Sequence, residues 1–255
     1  MSDLDSGLSG RDHYAEIYRS HLAREAEWLR RTSGQKADSI VRLLRSAGLS
    51  PTSVLEVGAG TGAVIGALQE RGIGSDHFAV DFSADALEEL GRAFPTVQTA
   101  VADVTETPDP FDAGPYDLAF ASHVVEHLED PVPFLRSLLD VPLRYFVAEV
   151  PLENLLGGRL KASIKDRSAN AAGHVQFFTR DSFIALLKES GWNVEGVEVY
   201  APVLDDDTLD FSYGSASAGK RWAKRLTESV LPRSLGTVWT SLYHAHCAVL
   251  CTKPS

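Results

Sequence analysis

The chain has 255 residues, of which 44% are hydrophobic and 23% charged, which is the composition of an ordinary globular protein with one elaborated domain or two small ones. Asp and Glu (35) outnumber Lys and Arg (24), and the resulting net charge of −11 argues against a general nucleic-acid or anionic-membrane binder. No apolar run approaches the roughly 20 residues of a membrane span, and the polar start lacks the core of a secretory signal. Two cysteines, Cys247 and Cys251, are too few for a disulfide framework or a zinc site, so we expect a cytoplasmic protein.

The predicted elements begin with two helices between Tyr14 and about Ala47, broken around Ser33-Gly34 and ending at Gly48. Strands and helices then alternate. Strands are predicted at 53–57, 77–80, 97–102, 116–121, 145–150, 194–200 and 245–252, and helices at 63–71, 83–94, 133–139 and 179–189. This alternation predicts a parallel sheet covered on both faces, an α/β doubly wound domain.

A glycine-rich segment, Gly58-Ala59-Gly60-Thr61-Gly62, follows the first strand and precedes a helix. Glycines let the backbone turn tightly and approach a ligand, and the helix N-terminus offers unpaired N–H groups. Asp81 ends the next strand about 20 residues on, where a carboxylate can accept ribose hydroxyls. The pattern therefore indicates a nucleoside site, against the alternative of a simple tight turn followed by a solvated acid.

Glu56-Val57-Gly58-Ala59-Gly60-Thr61-Gly62 resembles motif I of the class I S-adenosylmethionine-dependent methyltransferases, and later segments resemble the family's following motifs. The resemblance implies a seven-stranded sheet with a C-terminal antiparallel strand and S-adenosyl-L-methionine as cofactor. It leans toward the branch that methylates O, N or C of small organic molecules. A departure is visible before the fifth strand, where Asp140-Val141-Pro142-Leu143 stands in place of a Pro-Gly-Gly sequence.

The resemblance also implies roles for individual residues. Asp81 would hold the ribose, Phe82 would pack on adenine, Asp103 would accept from the adenine amino group, and the Val104 N–H would meet the ring. Ala121 and Ser122 would lie beside the methionine part. The full set expected at the cofactor is Glu56, Gly58, Ala59, Gly60, Gly62, Asp81, Phe82, Asp103, Val104, Ala121, Ser122, Tyr18 and Lys36. The alternatives are that Tyr18 packs in the core and that Lys36 is a solvated surface lysine.

Two other functions remain open on the sequence. Gly58 to Ala63 also satisfies the pattern G-x-G-x-x-A, so an NAD(P)-dependent oxidoreductase is the rival enzyme. A non-catalytic cofactor-binding or scaffold protein on the same fold is the rival of another class, because fold does not fix function.

His123-Val124-Val125-Glu126-His127 matches H-x-x-E-H, a zinc-protease signature. Such a site needs both histidines on one helical face and a further downstream ligand. Because the segment runs from a strand end into a loop, we expect no metal here.

Histidines supply the candidates for catalysis. His123, at the end of the fourth strand, is the first candidate for general base or substrate positioner, with a structural hydrogen bond to a nearby loop as the alternative. His174 is the second candidate, with a brace of the following helix as its alternative. His244 and His246 alternate in the last strand and are interpreted as structural.

Residues 1–50 are expected to form a helical cover, and residues 51–255 the cofactor-binding domain. Segments 152–173 and 201–240 interrupt the alternation as insertions, and long connectors of this kind tend to be lids or binding loops. The expected partner is a small-molecule acceptor. The apolar residues Tyr213, Trp222 and Trp239 of 201–240 can either wall a pocket or make the contact of a homodimer. Nucleic-acid and membrane partners are not expected.

Overall fold

The structure is a computed structural model that describes residues 10–153, 173–243 and 245–254. For residues 10–20 and Thr237 it describes the backbone. None of the helices within these ranges is both long and apolar enough to cross a membrane.

The described strands form one seven-stranded sheet in the order β3-β2-β1-β4-β5-β7-β6. The strands are β1 (Ser53–Val57), β2 (Asp76–Asp81), β3 (Gln98–Val101), β4 (Tyr116–Ser122), β5 (Leu143–Leu152), β6 (Asn193–Tyr200) and β7 (Ala245–Thr252). The first five strands pair in parallel, and β7 runs antiparallel to both β5 and β6. The predicted fold class, including its antiparallel last strand, is confirmed.

Among the described residues, four helices lie between the strands close to where the alternation predicted them, and four further helices lie in or overlap the segment 201–240, which was expected to be an insertion. They are α1 (Gly10–Ser46), α2 (Ala63–Glu70), α3 (Ala84–Ala93), α4 (Pro131–Ser137), α5 (Arg180–Glu189), α6 (Asp206–Tyr213), α7 (Ala218–Arg225), α8 (Leu231–Leu235) and α9 (Thr237–Leu242). The Ser83 hydroxyl caps α3 by accepting from the Ala86 N–H, and Thr179 and Ser182 form a capping box at the start of α5. Local sequence therefore set these helix starts.

The predicted break at Ser33-Gly34 is wrong, because α1 continues through it and departs from helical geometry at His21 instead (φ −138°, ψ 22°). The Ser33 hydroxyl donates to the Arg30 carbonyl at 3.1 Å, within the helix. Arg71 donates to the Gly34 carbonyl at 3.0 Å and thereby holds α2 against α1. The contact with Arg71 offsets part of the roughly 1 kcal/mol that a glycine costs a helix interior.

Apolar side chains cover both faces of the sheet. On one face, Ile40 and Leu44 of α1 pack with Ile65 of α2 in a buried cluster. On the other, Phe183 and Trp192 pack near Phe146 of β5. The second half of α1 is thus part of the core, and the division into a 1–50 cover and a 51–255 domain remains a prediction.

The two predicted insertions differ in what the structure describes. Segment 201–240 contains α6, α7 and α8 and most of α9. Most of segment 152–173 lies outside the described residues. Its four basic residues, Arg159, Lys161, Lys165 and Arg167, lie there too.

Asp117 of β4 is hydrogen-bonded to Thr52, the residue before β1. One of its carboxylate oxygens accepts from the Thr52 hydroxyl at 2.5 Å and from the Thr52 N–H at 2.9 Å. These hydrogen bonds hold the pKa of Asp117 below its ordinary value. A carboxylate with a lowered pKa stabilises the fold fully above its unfolded-state pKa and loses that contribution as the pH falls through the folded-state value.

We therefore expect Asp117→Asn to lower the free energy of unfolding by about 1 kcal/mol near neutral pH, because charge-assisted hydrogen bonds are weakened. Chemical unfolding of both proteins near neutral pH and again near pH 3 checks this, and the difference should shrink in acid. A difference of equal size at both pH values would contradict the assignment.

Candidate active site

The glycine-rich loop turns between β1 and α2 at the edge of the sheet where the parallel strands end, here called the carboxyl edge. Gly58, Gly60 and Gly62 all have left-handed backbone, with φ of 73°, 52° and 74°. A Cβ on Gly62 would lie 2.4 Å from Leu90, and one on Gly58 would lie 2.5 Å from Val124. Packing as well as backbone conformation therefore demands glycine at these two positions.

Asp81 reaches from the end of β2 into this loop. Its carboxylate accepts from the Gly60 N–H and the Ser83 N–H, each at 2.8 Å, and the residue is buried. These two bonds fix the carboxylate at the carboxyl edge beside the glycine loop, as the sequence predicted.

Three other residues predicted at the cofactor differ in their burial and in their hydrogen-bond partners. Glu56 is buried and accepts from the Ile65 N–H at 3.1 Å, so it braces the start of α2, and burial raises its pKa well above the ordinary value. Asp103 accepts from the Thr105 N–H at 2.9 Å in the turn after β3. The Val104 side chain is buried in the core.

The remaining predicted cofactor residues differ in exposure. Ala59 and Ala121 are buried, and Phe82 is half-buried. Ser122 donates to Glu149 at 3.3 Å. The side chain of Tyr18 lies outside the described part of the chain.

A polar group that the sequence did not predict lies at the carboxyl edge across β4, β5, β7 and β6. Tyr200 donates to Glu149 at 2.5 Å, and its hydroxyl lies 3.1 Å from Nδ1 of His246. That nitrogen is 3.3 Å from Nε2 of His123. We call these four residues the Glu149 cluster.

His123 occupies the turn after β4 in a left-handed conformation, with φ 59°, which is uncommon for a non-glycine residue. Its N–H donates to the Glu149 carbonyl at 2.9 Å. Burial lowers the pKa of its imidazole well below the ordinary value. Burial opposes the ionisation of Glu149, but the hydrogen bond with His246 and the charges around it hold the pKa of Glu149 below its ordinary value.

Lys36 is not a solvated surface lysine, because it is only 8% exposed. Burial lowers its pKa, whereas the charges of Glu149, Glu126, Glu56 and Glu25 act in the opposite direction. The alternative given for Lys36 is therefore wrong, and the residue lies among the acids of the candidate site. The burial of Lys36 could not be predicted from the local sequence, because a single lysine in an amphipathic helix gives no indication of which acids lie near it.

His174 lies close to the 3₁₀ turn Val125–His127, because the Glu126 carbonyl accepts from the N–H groups of Val175 and Gln176. Its Nδ1 is 2.6 Å from the Glu153 carboxylate. Burial alone would lower its pKa, but Glu153 and Glu126 raise it above the ordinary value.

Three residues at this edge were not predicted as functional. His246, interpreted from the sequence as structural, contacts His123 directly. A signal was available for Glu149, which is an acid within the apolar run of β5. Its contacts with Tyr200 and His246 depend on β7 lying between β5 and β6, which local patterns do not show.

Fold and site together define a class I, Rossmann-like methyltransferase. The chain belongs to the family described as "Methyltransferase domain", whose model matches residues 18–197. It is a methyltransferase with S-adenosyl-L-methionine as cofactor, and the rival assignment as an NAD(P)-dependent oxidoreductase is not supported. A search of curated proteins finds no match to the sequence.

Solved structures with the same fold cover most of the chain at low identity. The Haloferax volcanii protein in complex with the Trm112 methyltransferase activator has 14% identity and a TM-score of 0.61, covering 97% of this chain and 100% of its own. Magnesium protoporphyrin IX methyltransferase from Synechocystis with bound SAH has 14% identity and a TM-score of 0.53, covering 87% and 83%. An S-adenosylmethionine-dependent methyltransferase from Archaeoglobus fulgidus has 18% identity and a TM-score of 0.50, covering 84% and 92%.

Proposed function

We propose that this methyltransferase transfers the cofactor's methyl group to an oxygen, nitrogen or carbon atom of a small organic acceptor. The net charge of −11 disfavours a nucleic-acid acceptor. The Synechocystis neighbour, named for a porphyrin, fits a small-molecule acceptor. A homodimer and a cytoplasmic location remain predictions.

The residues at the carboxyl edge suit a nucleoside cofactor. Asp81 is a fixed, ionisable acceptor for ribose hydroxyls, held by N–H groups of the glycine loop and α3. Phe82, Asp103 and the Val104 N–H are proposed around the adenine. Glu56, Ala59, Ala121, Ser122, Lys36 and Tyr18 complete the proposed cofactor set.

The chain's own contribution to the reaction is positional. S-adenosylmethionine, when bound, supplies a methyl group that is already activated on a sulfonium. The protein must hold the acceptor atom in line at near-attack distance, which is worth several kcal/mol or more. The Glu149 cluster holds His123 through His246, so the imidazole has a fixed place from which to orient the acceptor or take its proton.

One contact carries this proposal. A Cβ at Gly58 would touch Val124, the residue directly after His123. The turn that presents His123 therefore lies against the glycine loop that is proposed to hold the cofactor. Donor and acceptor groups can meet only if these two elements are adjacent.

The test of the function is a mass-shift screen in which metabolites are incubated with the protein and S-adenosylmethionine. A product heavier by one methyl group identifies the acceptor. If the protein binds the cofactor but no candidate acceptor gains a methyl group, a non-catalytic binding protein becomes the better assignment.

His123→Asn tests the role of the imidazole, since asparagine tolerates left-handed backbone but cannot act as a base near neutral pH. If His123 takes the acceptor's proton, kcat falls by about 100-fold or more. Calorimetric titration should show unchanged cofactor affinity. Full activity in His123→Asn would remove His123 from the mechanism, and a raised KM with unchanged kcat would leave it only a positioning role.

His174→Asn is the matched comparison, because His174 is the second candidate and, like His123, lies close to Glu126. If His174→Asn loses turnover while His123→Asn keeps it, His123 is not the base.

A further inference from the structure

The carboxylate of Glu126 is completely buried in the 3₁₀ turn after β4. Neither of its oxygens accepts a hydrogen bond from any residue in the described ranges. Nδ1 of His123 lies 2.9 Å from Oε1 but outside hydrogen-bonding geometry, and Nε2 of His127 lies 3.9 Å away. A buried carboxylate without hydrogen bonds is costly, so a cation bound directly to it would stabilise this part of the fold.

Besides His123, two further imidazoles lie close to this carboxylate. Glu126, His127 and His174 each offer a ligand atom, and the three atoms lie within 4.8 Å of one another. The rings of His127 and His174 are 4.9 Å apart at an angle of 64°. We call these three residues the Glu126 cluster. In this cluster His174, from far downstream in the chain, lies beside Glu126 and His127 of the H-x-x-E-H segment. The sequence alone did not identify this downstream ligand.

The hydrogen bonds around both rings determine which nitrogen can bind a metal. Nδ1 of His127 lies 3.2 Å from the Gly173 carbonyl, and a carbonyl only accepts, so this nitrogen carries the hydrogen. Nδ1 of His174 lies 2.6 Å from the Glu153 carboxylate and is a donor in the same way. In a neutral ring, Nε2 then has the lone pair. Histidines that ligate metals are held in this manner by a carbonyl or carboxylate on the other ring nitrogen.

We propose that Glu126, His127 and His174 bind a divalent first-row transition-metal cation, with Glu153 and the Gly173 carbonyl orienting the two imidazoles. Two imidazoles and one carboxylate favour Zn²⁺, Co²⁺ or Mn²⁺ over Ca²⁺, which prefers oxygen ligands alone. The cation supplies the direct ligation that the buried Glu126 carboxylate lacks, in addition to the charge of Lys36. Three protein ligands leave coordination positions for water or a substrate oxygen.

The position of the cluster connects it to the candidate active site. Glu126, a member of the Glu126 cluster, lies with its carboxylate 2.9 Å from Nδ1 of His123, the first candidate for catalysis. The proposal stands on the geometry of the cluster and does not depend on which acceptor is methylated.

The experiment uses the untagged full chain, stripped of metal with a chelator and then titrated calorimetrically with ZnCl₂, MnCl₂ and CoCl₂. We expect one cation to bind per chain, to raise the melting temperature, and, for Co²⁺, to give a visible absorption band. Glu126→Gln and His174→Ala should abolish binding. Glu153→Gln should weaken it by about 10- to 100-fold, because it removes an orienting carboxylate without removing a ligand.

His77→Gln is the control, because His77 is also buried and its ring also contacts a carbonyl, that of Ile73, but at the opposite edge of the sheet. It should bind the cation as the native chain does. If Glu126→Gln does not fold, His174→Ala and Glu153→Gln still decide the matter. The proposal is overturned if the native chain binds no cation, or if both of these variants bind as tightly as the native chain; a protonated His174 would then be the partner of Glu126.

Discussion

Replacing Asp81 with alanine is expected to weaken S-adenosylmethionine binding by about 10- to 100-fold, because hydrogen bonds to a charged group are worth about 1.5–3 kcal/mol. The carboxylate accepts from the N–H groups of Gly60 and Ser83, so it is already oriented before a ligand arrives. A carboxylate has about four acceptor positions and can accept ribose hydroxyls in addition to these bonds. Calorimetric titration of the variant with the cofactor measures the change.

Asp85→Ala is the matched control for this prediction. Asp85 is an exposed acid in the first turn of α3, close in sequence but not bonded to the glycine loop. It should leave cofactor affinity unchanged. If Asp81→Ala binds as tightly as the native protein while its unfolding is unaltered, Asp81 does not hold the ribose.

Lys36→Met is expected to lower the free energy of unfolding by about 3–5 kcal/mol, the usual cost of removing one partner from a buried group of charges. Lys36 is buried, and the charges of Glu149 and Glu126, two carboxylates completely inaccessible to solvent, act on it. Methionine keeps much of the side-chain volume but leaves these acids without a compensating charge.

The free energies of unfolding of Lys36→Met and Lys188→Met, each measured in urea and compared with the native protein, test this prediction. Lys188 is exposed in the last turn of α5, so its replacement should change stability by no more than about 0.5 kcal/mol. If the two variants prove equally stable, Lys36 is not the counter-charge of these acids.

Much of the fold was predictable because its signals are local. The strands lie close to the predicted ranges, and α1 ends just before Gly48, as predicted. The caps at Ser83 and Thr179 likewise involve only residues close in sequence. The kink of α1 was not predictable in this way. Gly34 stays helical because Arg71, distant in sequence, bonds its carbonyl.

The candidate site was predictable only in part. Asp81 and the glycine loop follow from spacing within one strand–helix–strand unit. Lys36 and His246 come to the carboxyl edge from α1 and β7, near opposite ends of the described chain. Their neighbours are set by the strand order, and a pattern of single residues does not contain that order.

The strand order has a consequence for synthesis on the ribosome. Among the described strands, β6 pairs only with β7, which comes later in the chain. The five parallel strands are all synthesised before β6 and β7, and nascent chains fold from the N-terminal side. His246 lies in β7, and Tyr200 lies in β6, which pairs with β7. The nascent protein can therefore form its glycine loop before its Glu149 cluster.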